Sequence, residues 1–168
     1  MIAIPVQSPK YGEKFFFIDG EDLEKVKTHI WCVSYDPTIK NFYVTCTDRT
    51  GEKQTSIRLH RFILDAPNNM HVDHIDGNPL NNQKENLRLC THQQNSYNRK
   101  KRVCTNKTKY KGVTKNKYKF EASIGYNGKR IYLGLFSTQE EAAAKYNEAA
   151  LKYFGEFARL NIIEEYKC

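Results

Sequence analysis

Long apolar runs are missing from this sequence. No stretch approaches the roughly 18 consecutive apolar residues that a membrane-crossing helix requires, so no membrane partner is expected. Met1–Val6 has no basic start, long apolar stretch or small-residue cleavage site, so a secretory signal is not expected and a cytoplasmic location is. Paired cysteines are missing too. Cys32, Cys46, Cys90, Cys104 and Cys168 are odd in number and none sits in a Cys-x-x-Cys pair. That pattern argues against a disulfide framework and against structural zinc, and predicts reduced thiols. No internal repeat or low-complexity tract stands out.

Acid is almost absent from residues 99–130. Twelve Lys or Arg face Glu121 alone there, against a net charge of +8 for the whole chain, so the remaining residues are net negative. Tyr110, Tyr118, Phe120 and Tyr126 interrupt the basic run, which argues for a folded surface rather than a solvated tail. A polyanion is the expected partner.

Three parts follow from the patterning. Residues 1–65 read as a β-rich scaffold, with a short apolar run at Phe15–Ile18 and a brief helix at Glu21–Thr28. Strands are predicted at Ile30–Tyr35, Phe42–Thr47 and Gln54–Leu59, and a helix from Arg61. In Phe42–Thr47 the period-two alternation is that of a half-buried strand. Residues 66–98 are crowded with Asp, Asn and His and broken by Pro67, Gly77 and Pro79. They read as a long structured loop, then a short strand at Asn86–Leu89 and a helix opened by a Thr91/Gln94 capping box. Residues 99–108 form a basic linker. From 109 to 168 the pattern predicts strands at Lys111–Lys115, Tyr118–Ile124 and Lys129–Leu135, with a hairpin turn at Asn127-Gly128. A helix should then run from a Ser137/Glu140 capping box to about Phe154, stopped by Gly155. Its Ala142, Tyr146, Ala149, Ala150 and Tyr153 fall on one stripe, suited to lie on the sheet. The fold class expected is α+β.

The sharpest chemistry lies in Val72-Asp73-His74-Ile75-Asp76-Gly77-Asn78, followed by Asn86 and Asn95. Phosphodiester hydrolysis needs a cation on the phosphate, a base for water and help for the leaving oxygen. Asp73 is a hard oxygen ligand suited to Mg²⁺ or Mn²⁺, and His74 can accept a proton near neutral pH. Neighbours on an extended strand point to opposite sides, so the two share a face only if the strand bends, and the turn at Gly77 offers such a bend. A second ligand is expected from the Thr91 helix, where His92, Asn95 and Asn98 recur at steps of three. By contrast, Asp76, Asn78, Asn81 and Asn82 read as turn-formers, and His60 as a packed or capping histidine.

The set Asp73-His74, with Asn86 twelve and Asn95 twenty-one residues after the histidine, resembles the HNH (ββα-metal) nuclease motif. Leu59-His60-Arg61, VDHIDGN at 72–78, Asn86-Leu87-Arg88 and QNSYNR at 94–99 resemble its homing-endonuclease branch. The resemblance implies His74 as general base, Asp73 as ligand of one divalent ion, and Asn86 orienting the turn and the base. The third position, often histidine in that family, is here Asn95, with His92 one turn earlier as the alternative ligand.

Residues 109–161 resemble the plant Apetala/ethylene-response-factor DNA-binding domain through Tyr110-Lys111-Gly112-Val113, Arg130–Phe136, Glu141-Ala142-Ala143 and Leu160-Asn161. The resemblance implies a three-stranded antiparallel sheet, packed on one helix, that enters the major groove. Thr114, Asn116 and Gly125 stand where that family usually has arginine, so its sequence preference does not transfer. Arg99, Lys100, Lys101, Arg102, Lys111, Lys115, Lys117, Lys119, Lys129, Arg130 and Tyr132 are the expected DNA contacts, the lysines mainly to phosphates.

The whole reads as an HNH endonuclease domain (1–98), a basic linker (99–108) and a DNA-binding domain (109–168). The expected protein is a monomeric, Mg²⁺- or Mn²⁺-dependent homing enzyme of a mobile element, acting on double-stranded DNA in a bacterial or phage-infected cell, with no small-molecule cofactor. Two alternatives stand: a DNA-binding regulator with an inactive nuclease half, and an RNA- or ribosome-associated basic protein.

Overall fold

Ile2, Ile4 and Val6 alternate with more exposed neighbours, and in a computed structural model of the chain they form strand β1 (Ile2–Ser8), paired antiparallel with β2 (Gly12–Ile18). The structure describes residues 1–38, 40–49, 54–100 and 108–163. It is a mixed helix and sheet architecture of several small antiparallel sheets, divided into two compact units, Met1–Asn95 and Ser96–Cys168.

In the first unit the Phe15–Ile18 run is the end of β2, and β1 is a strand that the sequence reading passed over. The brief helix is shorter than expected: a 3₁₀ turn at Gly20–Asp22 leads into α1 (Leu23–Val26). Trp31 Nε1 donates to the Val26 carbonyl at 2.8 Å, and Ile30 stays 94% exposed, so the next strand starts later than predicted. Strands β3 (Cys32–Asp36), β4 (Asn41–Asp48) and β5 (Thr55–Arg58) form one sheet in chain order. Helix α2 (Leu59–Ile63) begins two residues before the expected Arg61, because Leu59 is drawn fully into the core. Phe16, Ile18, Val26, Val44 and Leu59 centre that core. Burial of each such side chain contributes about 1.5–3 kcal/mol.

Residues 66–98 are more regular than a structured loop. His71–His74 is a strand, β6, paired antiparallel with β7 (Leu87–Cys90), and α3 (His92–Tyr97) follows. The lack of period-two alternation hides the strand in the sequence, since Val72, Asp73 and His74 are all buried and three of its four residues are polar. The Thr91 cap forms as expected. Thr91 Oγ1 accepts from the Gln94 N–H at 3.2 Å, and Gln94 Oε1 accepts from the Thr91 N–H at 2.8 Å.

The second unit is a sheet of β8 (Val113–Asn116), β9 (Lys119–Tyr126) and β10 (Lys129–Phe136) against α4 (Gln139–Phe154). Asn127 and Gly128 both have positive φ, 49° and 73°, as a two-residue hairpin turn of this kind requires. Tyr118 lies in the β8–β9 turn rather than in a strand and is 96% exposed. The α4 cap is one residue later than expected. Thr138 Oγ1 accepts from Glu141 N at 3.2 Å, while Glu141 Oε2 accepts from Thr138 N at 3.4 Å. Ala142, Ala143, Tyr146, Ala149 and Ala150 are buried beneath the sheet, and Gly155 ends the helix at φ 54°.

Candidate functional site

The β6–β7 register fixes which groups can meet. Asp73 lies opposite Arg88 and His74 opposite Leu87. Side chains opposite each other share a face, so Asp73 and Arg88 occupy one side of the ribbon and His74 and Leu87 the other. The register runs unbroken from His71 to His74. The turn at Gly77, φ 72°, begins only after it, with Gly77 N donating to the His74 carbonyl at 2.9 Å.

On the first face Asp73 is 6% exposed. Arg88 donates to its Oδ2 through Nη2 at 2.7 Å and Nε at 3.0 Å. Cys90 is fully buried, and its thiol is pushed up to about 11 by burial and by the Asp73 charge. The first residue of α3 lies beside this face: the His92 ring meets His71, two positions before Asp73, at 5.4 Å. Asn95 follows one turn later, half-buried, its N–H on the Thr91 carbonyl at 3.0 Å. Both candidate amide and imidazole ligands therefore sit on the helix that follows the Asp73 face. Among the described residues no group of three or more His, Cys, Asp and Glu could hold an ion. An ion at Asp73 would draw its other donors from the Asn95 amide, or from His92 as the alternative, and from water. Carboxylate with amide is a hard-oxygen set that fits Mg²⁺ or Mn²⁺ and suits thiol-seeking metals poorly.

On the opposite face His74 is 6% exposed, and burial lowers its pKa despite the Asn82, Asp76 and Asp73 groups that act to raise it. Beneath it lies His60, 4% exposed, whose ring meets the His74 ring edge-on at 4.9 Å and 80°. Burial, with His74 beside it, holds His60 down near about 2. Both imidazoles are therefore neutral at pH 7. His60 is packed, as the sequence suggested, and it packs against the candidate base.

Asn86 is occupied by the loop between the strands. Its Oδ1 accepts from Asp76 N at 3.0 Å, and its Nδ2 donates to Asp76 Oδ1 at 3.0 Å and to the Asn81 carbonyl at 2.8 Å. It orients the turn, but the amide that reaches His74 belongs to Asn82. That residue is fully buried, with Oδ1 3.3 Å from His74 Nε2 and Nδ2 donating to the Pro79 carbonyl at 3.3 Å. In sequence Asn82 reads as a turn-former like its neighbours. Only its burial separates it from Asn78 and Asn81, and burial of one Asn in a polar loop leaves no mark in the sequence.

The scaffold holds that loop in place. Phe17 of β2 donates to the Leu80 carbonyl and accepts from Asn82 N, both at 2.8 Å, making a one-residue parallel bridge to Asn81. Asp19 accepts from Gln83 Nε2 at 3.0 Å and Lys84 N at 2.8 Å, and these two bonds lower its pKa.

In the second unit the candidate nucleic-acid residues separate by face. Lys119, Glu121, Ser123, Arg130 and Tyr132 lie on the side away from α4, where Tyr132 is 59% exposed. Arg130 donates to Glu121 at 2.7 Å and to Ser123 at 3.1 Å, so the lone acid of the basic stretch positions an arginine. Lys117, φ 50°, projects from the β8–β9 turn. Lys115 and Lys129 are exposed but pair in register with Phe120 and Tyr126, which face the helix. Lys111 is engaged by the fold instead of solvent: its Nζ donates to the Tyr97 carbonyl at 2.5 Å, and burial brings its pKa down to about 8. Arg99 and Lys100 are exposed. Lys101 and Arg102 lie outside the described residues. No helix among the described residues is long and apolar enough to cross a membrane.

Comparison with known proteins fits this geometry. Residues 65–97, which span β6, β7 and α3, match the HNH endonuclease family model. An uncharacterized HNH endonuclease of Acanthamoeba polyphaga mimivirus is 43% identical over 114 residues, 64% of this chain and 59% of that protein. An Arabidopsis thaliana ethylene-responsive transcription factor, WRI1, is 45% identical over 58 residues, 32% of this chain and 14% of the factor. Protein 3.8 of Escherichia phage T7 is 53% identical over 34 residues, 20% of this chain and 28% of that protein. The chain thus spans less than two thirds of each of these relatives. The match of residues 65–97 to the HNH endonuclease family points to a nuclease, and the resemblance to the plant factors rests on partial matches.

Proposed function

We propose that this protein is an HNH endonuclease of the homing type that hydrolyses phosphodiester bonds of double-stranded DNA, with His74 as general base. The observation that carries the reading is a buried imidazole one residue from a buried carboxylate, on a strand whose partner leads into the Asn95 helix. A ring already neutral at pH 7 can take a proton from water as the nucleophile forms. Asp73 and Asn95 would hold one Mg²⁺ or Mn²⁺ ion, with His92 as the alternative to Asn95. When bound, that ion supplies neutralisation of phosphoryl charge. Arg88, donating through Nη2 and Nε, holds the Asp73 carboxylate in place. Asn86 holds the loop that carries Asn82 against the base. General-base action is typically worth 10²–10⁴ in rate.

The second unit would hold the duplex through the face that carries Lys119, Arg130 and Tyr132, with Lys117 at its tip and Arg99 and Lys100 in the linker. The three-part division into nuclease domain, basic linker and DNA-binding domain belongs to this proposal, as does action as a monomer. In a supercoiled-plasmid assay the protein should nick or linearise DNA with Mg²⁺ or Mn²⁺ and do neither with EDTA. His74→Ala should abolish cutting and retain DNA binding. A His74→Ala protein that cuts normally would remove the base assignment.

A further inference from the structure

We infer that Asn82 is a positioning residue that fixes the tautomer of His74, placing the ring proton on Nε2 and the lone pair on Nδ1. The argument starts from the amide's own constraints. Asn82 is fully buried, and its Nδ2 donates to the Pro79 carbonyl. That contact requires the NH₂ group to face Pro79, so the oxygen faces His74 Nε2 at 3.3 Å. An amide oxygen only accepts, and a buried acceptor against a bare ring nitrogen would set two lone pairs face to face. The nitrogen on that side must therefore carry hydrogen. A neutral imidazole has one such hydrogen, which leaves Nδ1 as the basic atom.

Rotation of the amide would set its oxygen against the Pro79 carbonyl oxygen, which opposes it, and three features hold the loop and the ring in this arrangement. The Asn82 N–H is fixed to the Phe17 carbonyl at 2.8 Å, and Leu80 is bound to Phe17 from the other side. Asn86 grips the loop one residue before, at the Asn81 carbonyl. His60 sets the plane of the His74 ring from below. The hairpin β1–β2 thus acts on the base through one side chain 65 positions further along the chain than Phe17. This inference rests on the reading of His74 as general base, but the tautomer is observable without any cleavage.

The test is a long-range ¹H–¹⁵N correlation spectrum of the full chain labelled with ¹⁵N-histidine at pH 8, with the His74 signals identified by their loss in His74→Ala. The expected ring is protonated on Nε2. Asn82→Leu, of similar shape but with no acceptor, should show both tautomers. Its kcat for plasmid nicking should fall about tenfold or more with DNA affinity unchanged, since a base in the wrong tautomer is in the wrong place. Asn82→Asp keeps an oxygen toward the ring and should keep the Nε2-protonated form. An Nδ1-protonated ring in the unaltered protein overturns the inference, as does a single unchanged tautomer in folded Asn82→Leu. If Asn82→Leu does not fold, the spectrum of the unaltered protein decides by itself. Normal cutting by His74→Ala would overturn the base reading while leaving the tautomer result intact.

Discussion

At the residue scale, the two faces of β6 carry different electrostatic problems. Asp73 is a buried carboxylate whose charge is met by the Arg88 guanidinium, with both side chains largely shielded, 7% and 13% exposed. Removing one partner of a buried pair is costly because the other charge stays behind. Arg88→Met should therefore lower stability by about 3 kcal/mol, read as a reduced urea midpoint; an unchanged midpoint would mean Asp73 is stabilised chiefly by other groups. His60 poses the opposite problem, since the fold favours its uncharged ring. Its pKa is near about 2 in the folded protein and 6.5 in an ordinary environment, so the unfolded chain takes up the proton first as pH falls. The stability this histidine contributes is complete above about pH 6.5 and declines below it by ~1.4 kcal/mol per pH unit. Denaturation between pH 7 and 5 should be steeper for the unaltered protein than for His60→Leu. Equal slopes would show that His60 charges without penalty. Asp73, His74 and Asn86 stand out as candidates in the sequence because their spacing is distinctive. Arg88 and Asn82 do not, because their roles come from register and burial rather than from residue type.

At the element scale, turns and caps were the most readable features and strand limits the least. Asn127-Gly128 and the Thr91 cap follow from backbone chemistry that two or four residues determine locally. The β8–β9 turn does not, since Lys117 takes φ 50° without the glycine or asparagine that normally announces it. The Thr138 cap was misplaced by one residue because Ser137 with Glu140 offers the same pattern as Thr138 with Glu141. Thr138→Ala should cost about 1 kcal/mol, whereas Ser137→Ala should be close to neutral; the reverse order in thermal melts would restore the earlier cap. Gly112 is a stronger constraint. At φ +75° an added Cβ would lie 2.0 Å from Tyr146 Cδ2 and 2.8 Å from the Ser123 carbonyl oxygen. Strained backbone and overpacking both apply, so Gly112→Ala should destabilise the second unit by at least about 2 kcal/mol. A melt like that of the unaltered protein would mean the Tyr146 ring can move aside.

At the scale of the whole molecule, the charge distribution was visible in sequence but its direction was not. Twelve cations read alike as letters. The register sorts them, sending Lys119 and Arg130 outward and Lys111 onto the Tyr97 carbonyl. DNA affinity measured against salt should reflect that sorting. Lys119→Gln should reduce the magnitude of the log–log slope by roughly 0.9, the value of one phosphate contact. Lys111→Gln should leave the slope unchanged and lower the melting temperature. Equal effects of the two substitutions on the slope would place Lys111 at the DNA after all.

The one-residue bridge from Phe17 to Asn81 bears on how the nuclease segment can be reused. The span matched by the family begins at residue 65, yet the strand that steadies its loop ends at Ile18. Residues 65–97 transplanted into another host would carry every group expected to do chemistry and lose the brace that aims one of them. A working graft would have to bring the amino-terminal hairpin with it, although that hairpin supplies none of the proposed catalytic or metal-binding side chains.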